Sequence, residues 1–106
     1  MIDLTPRELA IVQEIISRHV PDREVWVFGS RAGGARKPWS DLDLAILGES
    51  RLPHSLLTAI EWDFEESDLP FKVDVADMAA VTPEFRFRIE ANHEPLPRAQ
   101  NARATG

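Results

Sequence analysis

The chain has 106 residues, 43% of them hydrophobic and 28% charged, which is the size and makeup of one small domain with a single core. It contains no cysteine, so disulfides, thiolate metal sites and cysteine nucleophiles are excluded. A formal net charge of −6 argues against extended nucleic acid as a partner, because that binding rests on basic residues displacing counterions.

The first predicted element is a helix. Thr5-Pro6-Arg7-Glu8 reads as a capping box with proline at the first helical position. Leu4 and Leu9 can form a hydrophobic staple, and Leu9, Val12, Ile15 and Ile16 make an apolar stripe that ends before Pro21. Glu24–Phe28 reads as a short central strand ended by Gly29. Asp41–Leu47 is a second strand, in which Leu42, Leu44 and Ile46 face one way and Asp41, Asp43, Ala45 and Leu47 the other.

Pro53 to about Ser67 is a second helix, with Leu56, Leu57, Ile60 and Phe64 inward and Glu61, Asp63, Glu65 and Glu66 on an acidic outer face. Phe71–Ala76 is a third strand, with Phe71, Val73 and Val75 on one face and Lys72, Asp74 and Ala76 on the other. Thr82-Pro83 caps a last helix that runs to about Asn92, with Phe85 and Ile89 on one stripe. The expected domain is residues 1–96, followed by a small polar tail, 97–106, that is expected to be disordered. The order α, β, loop, β, α, β, α predicts an α+β (α/β two-layer) fold with a small mixed sheet packed with helices. No apolar run approaches the roughly 20 residues of a membrane span. The amino terminus lacks a signal-peptide pattern, so the cytoplasm is the expected compartment.

Three aspartates carry the chemistry. Asp41 and Asp43 share one strand face, and Asp74 sits mid-strand with an apolar opposite face. If the two strands are neighbours, the carboxylates converge, and anions so close repel one another unless cations lie between them. Mg²⁺ suits carboxylates combined with substrate phosphates. Gly29 at a strand end lets backbone approach a ligand, and Ser30 adds a hydroxyl. A triphosphate held at Gly29-Ser30 can reach two metal ions on Asp41 and Asp43, with Asp74 holding the metal on the acceptor side. Asp77 is the rival to Asp74, and the apolar flanks Val73 and Val75 favour Asp74.

Gly29-Ser30, ten residues, then Asp41-Leu42-Asp43 resembles the signature of the DNA polymerase β nucleotidyltransferase superfamily. Arg31-Ala32 after the Gly-Ser pair, Ser40 before Asp41, and Lys72-Val73-Asp74-Val75 resemble its minimal branch, the MNT proteins. The resemblance implies a polymerase-β-like fold and magnesium-dependent transfer of AMP from ATP to a hydroxyl. Asp41, Asp43 and Asp74 are then catalytic and metal-binding, and Gly29, Ser30, Arg31 and Ser40 bind the nucleotide. Many minimal members are encoded beside a helical HEPN protein. In several such pairs that protein is an RNase toxin, which the MNT antitoxin silences by adding AMP to a tyrosine. Where such proteins often carry Arg-Gly, this chain has Gly33-Gly34, so the basic residue of the loop is one of Arg31, Arg36 and Lys37.

Two rival readings follow from the same residues: transfer to a small-molecule hydroxyl with a helical partner subunit, and a non-catalytic antitoxin that acts by binding. His19, His54 and His93 show no metal spacing and are expected at the surface. Trp26 and Phe28 are expected in the core. Trp39 is either a base- or partner-contacting residue or folded onto the domain's own surface, and Trp62 lies off its helix's apolar stripe.

Overall fold

The computed structural model describes residues 2–33 and 40–99. Gly34, Arg36, Lys37, Trp39 and the tail from residue 100 lie outside the described residues, and so do the expectations that fall on them.

Helix α1 spans Pro6–His19. Its capping box forms as the sequence requires: the Glu8 amide donates to Thr5 Oγ1 at 3.1 Å and the Thr5 amide donates to Glu8 Oε1 at 3.0 Å. Strand β1, Val25–Phe28, leads into a single 3₁₀ turn over Gly29–Ala32, and the chain re-enters the sheet as β2, Leu42–Ile46. Helix α2 is His54–Glu65, strand β3 is Val73–Asp77, helix α3 is Pro83–Ala91, and a short strand β4, His93–Pro95, closes the order. Each predicted helix and strand exists, with ends shifted by a residue or two. β4 is the addition, because three residues with a proline carry no alternation to read.

The four strands form one mixed sheet in the order β3-β2-β1-β4. β1 runs antiparallel to both β2 and β4, while β2 and β3 are parallel. α1 and α2 cover one face, where Val12, Ile15, Ile16, Ile60 and Phe64 close over Val25, Val27, Leu42, Leu44 and Ile46. The apolar half of β2 fills this core as its alternation predicted, with Leu42, Leu44 and Ile46 fully buried. α3 crosses the other face, where Ile89 and Met78 pack on Ala45. The carboxylate-bearing half of the strands lies on this second face.

Several expectations change. Trp26 and Phe28 are half-buried on the second face rather than in the main core; Trp26 stacks on His93 at 3.8 Å and Phe28 meets Phe85 edge-on at 5.7 Å. His93 is therefore a packing residue. His19 is not a free surface residue either: its Nε2 lies 2.6 Å from Asp63 Oδ2. Asp63 turns from the expected outer face toward α1, where Arg18 Nη1 also donates to it at 3.0 Å. Residues 97 and 98 bond back to the domain. Gln13 Nε2 donates to the Pro97 carbonyl at 2.8 Å and Arg98 Nη1 donates to that of Pro21 at 2.7 Å.

Candidate active site

The parallel pairing of β2 and β3 sets Asp43 directly beside Asp74, and the antiparallel pairing sets Phe28 on the other side of Asp43. Residues in register on adjacent strands share a face, so the two carboxylates of different strands stand side by side. Asp41 lies just before β2, on the same parity as Asp43, and is exposed. Burial first, then the charges of Asp74 and Asp41, push the Asp43 carboxyl up from its ordinary 3.8 to about 6. The other two carboxylates are thus near enough for their charge to act on Asp43. Lys72 approaches Asp74 at 3.6 Å, but both side chains are well exposed and the contact is weak.

Gly29 forms the wall of this cluster. Its φ is +75°, a conformation that side chains disfavour, and a Cβ there would stand 2.6 Å from Asp43 Oδ2. The end of β1 therefore comes against the central carboxylate only because residue 29 has no side chain. Asn92 Nδ2 donates to the Gly29 carbonyl at 3.3 Å, so the end of α3 supports this turn. Asn92 carried no motif and could not be singled out in the sequence. Ser30 follows within the turn and is partly accessible.

Arg31, which the family resemblance makes a nucleotide ligand, has a buried side chain, at 2% exposure. Its Nε donates to the Ser40 carbonyl at 3.0 Å, its Nη1 donates to that of Asp3 at 2.8 Å, and the guanidinium lies 4.0 Å over the Phe71 ring. The Asp3 amide returns a bond to the Arg31 carbonyl at 2.9 Å. Arg31 thus ties the segment before α1, the Gly-Ser turn, the start of β2 and the approach to β3 into one unit. It shapes the site from behind. Ser40 enters this unit through its backbone carbonyl and lies next to Asp41.

Asp77, the rival to Asp74, is also resolved. It is buried, its Oδ2 accepts from the Leu52 amide at 2.8 Å and its Oδ1 from the Ala79 amide at 3.0 Å. These bonds occupy it in holding loops at the far end of β3.

The cluster offers hard oxygen donors, an anionic surplus and a neighbouring glycine turn open to backbone approach. That donor chemistry fits a magnesium ion. Among the described residues, no three acidic or histidine side chains already stand together as a complete metal cage.

Residues 11–101 match the family model described as "Polymerase beta, Nucleotidyltransferase". The chain is 46% identical over 85 residues to a probable protein adenylyltransferase MntA of Haemophilus influenzae, a match spanning 80% of this chain and 75% of that one. Its fold is similar to a solved structure described as a toxin-antitoxin with AMP-PNP, at 18% identity and a TM-score of 0.71 over 92% of this chain and 78% of the other. It is also similar to a chain in a structure of tri-AMPylated Shewanella oneidensis HEPN toxin in complex with MNT antitoxin. That match has 17% identity and a TM-score of 0.61, and covers 87% of this chain and 71% of the other.

Proposed function

Since the chain belongs to the polymerase β nucleotidyltransferase family, we propose that it transfers AMP from ATP to a hydroxyl of a partner protein, and that this partner is a cognate HEPN toxin silenced by the modification. The observation that carries the reading is the side-by-side placement of Asp43 and Asp74 against the side-chain-free wall at Gly29. A relative with 46% identity is named a probable protein adenylyltransferase, which supports AMP as the group moved and protein as the acceptor.

Asp41, Asp43 and Asp74 would hold magnesium, two ions in our reading, which when bound supplies charge neutralisation at the α-phosphate and at the leaving pyrophosphate. The chain's own residues do the rest. Gly29 and Ser30 give the triphosphate a place to lie against the end of β1. Asp74, half-exposed on the sheet's edge strand, faces the side from which an acceptor arrives and accepts its proton. The acceptor oxygen then bonds to the α-phosphorus, the bond from that phosphorus to the bridging oxygen breaks, and pyrophosphate leaves. Arg31 keeps the turn in register with β2. One small domain leaves the site open to solvent on the α3 face, where a partner can complete it. The cytoplasm, which holds ATP and magnesium, is where the reaction runs; among the described residues no helix is long and apolar enough to cross a membrane.

The test uses ATP labelled at the α-phosphate, magnesium and a lysate of the source cells, with wild type or Asp43→Asn. A protein band labelled only by wild type is the expected result. A labelled small molecule instead would move the acceptor to that class. No label at all, with a stable complex still captured, would leave a binding antitoxin.

A further inference from the structure

A groove of about 550 Å³ opens beside Asp74, between α2 and the start of β3, and runs past Glu61, Phe64, Glu65, Phe71 and Val73 to Asp74 itself. Two features give it a direction. β3 is the edge strand of the sheet, so among the described residues one side of its backbone pairs with no other strand. Glu61 and Glu65 stand one helical turn apart on α2, both exposed, and among the described residues neither takes part in an ion pair or a side-chain hydrogen bond. Among the described residues, the one cation lining the groove, Lys72, is already directed to Asp74. The groove is therefore anionic at its rim and apolar along its floor, and Asp74 lines its end at the sheet edge.

We propose that the acceptor reaches Asp74 as an extended polypeptide segment lying in this groove along the free edge of β3, with a lysine or arginine close in sequence to its hydroxyl set against Glu61 and Glu65. An extended segment matches an unpaired strand edge through main-chain hydrogen bonds. A long cationic side chain matches the groove's composition, its aliphatic stem over Phe64 and its charge at the two carboxylates. Phosphodiester backbones are repelled by the same charge. Glu61 and Glu65 are then specificity-determining residues, reading the neighbourhood of the hydroxyl. The inference rests on the adenylyltransferase reading above and names the acceptor's local chemistry.

The experiment uses synthetic peptides in matched pairs, each with one tyrosine or one serine, identical except for lysine or glutamate two to four positions from the hydroxyl. AMP incorporation from α-labelled ATP is followed against peptide concentration. Wild type is expected to favour the lysine peptide at least tenfold in kcat/KM. Glu61→Gln with Glu65→Gln should bring the ratio toward one, and Glu61→Lys with Glu65→Lys should reverse it, each with KM for ATP unchanged as a check on the fold. Equal use of both peptides by wild type overturns the proposal, as does a preference that the variants leave intact. Label on a lysate protein or on a cationic small molecule, but on no peptide, overturns it too. No transfer to anything overturns the adenylyltransferase reading and this inference with it.

Discussion

At residue 29 the backbone turns with positive φ, and the missing Cβ is what lets Asp43 stand against the turn. Gly29→Ala combines a backbone cost of about 1–2 kcal/mol with displacement of Asp43, and transfer activity is expected to fall by about two orders of magnitude. Asp43 itself is held above its ordinary range, at about 6. A carboxyl raised in the folded state binds its proton more tightly there than when unfolded. Without metal, stability therefore falls as pH rises from about 4 to about 6, and the penalty is complete above that. Asp43→Asn is expected to stabilise the metal-free protein at pH 7 by about 1 kcal/mol, after discounting for solvent screening at this half-exposed group, while abolishing transfer. Thermal melts at pH 4.5 and 7, with chelator present, check the sign. Arg31→Ala leaves two inward carbonyls without their donor and is expected to cost about 3 kcal/mol in denaturant unfolding, because the guanidinium is a tie within the fold.

Among the elements, β3 has two aspartates with opposite duties. Asp74 faces the site, and Asp77 holds backbone amides of two loops. Asp74→Asn is expected to lose activity with an unchanged melting temperature. Asp77→Ala is expected to lose about 1–3 kcal/mol of stability, and where it stays folded at low temperature it should retain transfer. A labelling assay paired with melting curves separates the two. α1 and α2 are joined by Asp63, whose hydrogen bond with His19, together with the charges of His19 and Arg18, holds its carboxyl below the ordinary range. A lowered acid stabilises above its unfolded value and loses that contribution as pH falls through the folded one. The contribution of this carboxyl to the α1–α2 contact is therefore expected to be lost on acidification, as pH falls through its lowered pKa. β4 covers the outer edge of β1, and the next residue, Leu96, enters the core. Removing residues 93–106 exposes both and should lower the melting temperature by several degrees.

Across the whole molecule, one sheet separates two jobs. The α1–α2 face buries the main core and the α3 face carries the proposed catalytic carboxylates beside a smaller packed cluster, so substitutions of exposed carboxylates on the α3 face should act on transfer and those of either core on stability. Phe87 tests the boundary between them. It lies on α3 with 72% of its surface exposed, and Phe87→Ser is expected to shift stability by no more than about 0.5 kcal/mol.

Local pattern was enough for much of this. Thr5 to Glu8 wrote the first helix start, alternation in Leu42, Leu44 and Ile46 chose the core face of β2, and Gly29-Ser30 with Asp41 and Asp43 marked the proposed site before any fold was known. These features are legible because their physics acts within a few residues. Pairing is not local. Only the tertiary structure set Asp43 in register with Asp74, gave Asp77 its buried amides, and turned Arg31 inward to the carbonyls of Asp3 and Ser40. An arginine beside a glycine-serine turn has the same sequence signature whether it points at a phosphate or at a backbone carbonyl. Which one it meets is decided by what the distant chain brings within reach.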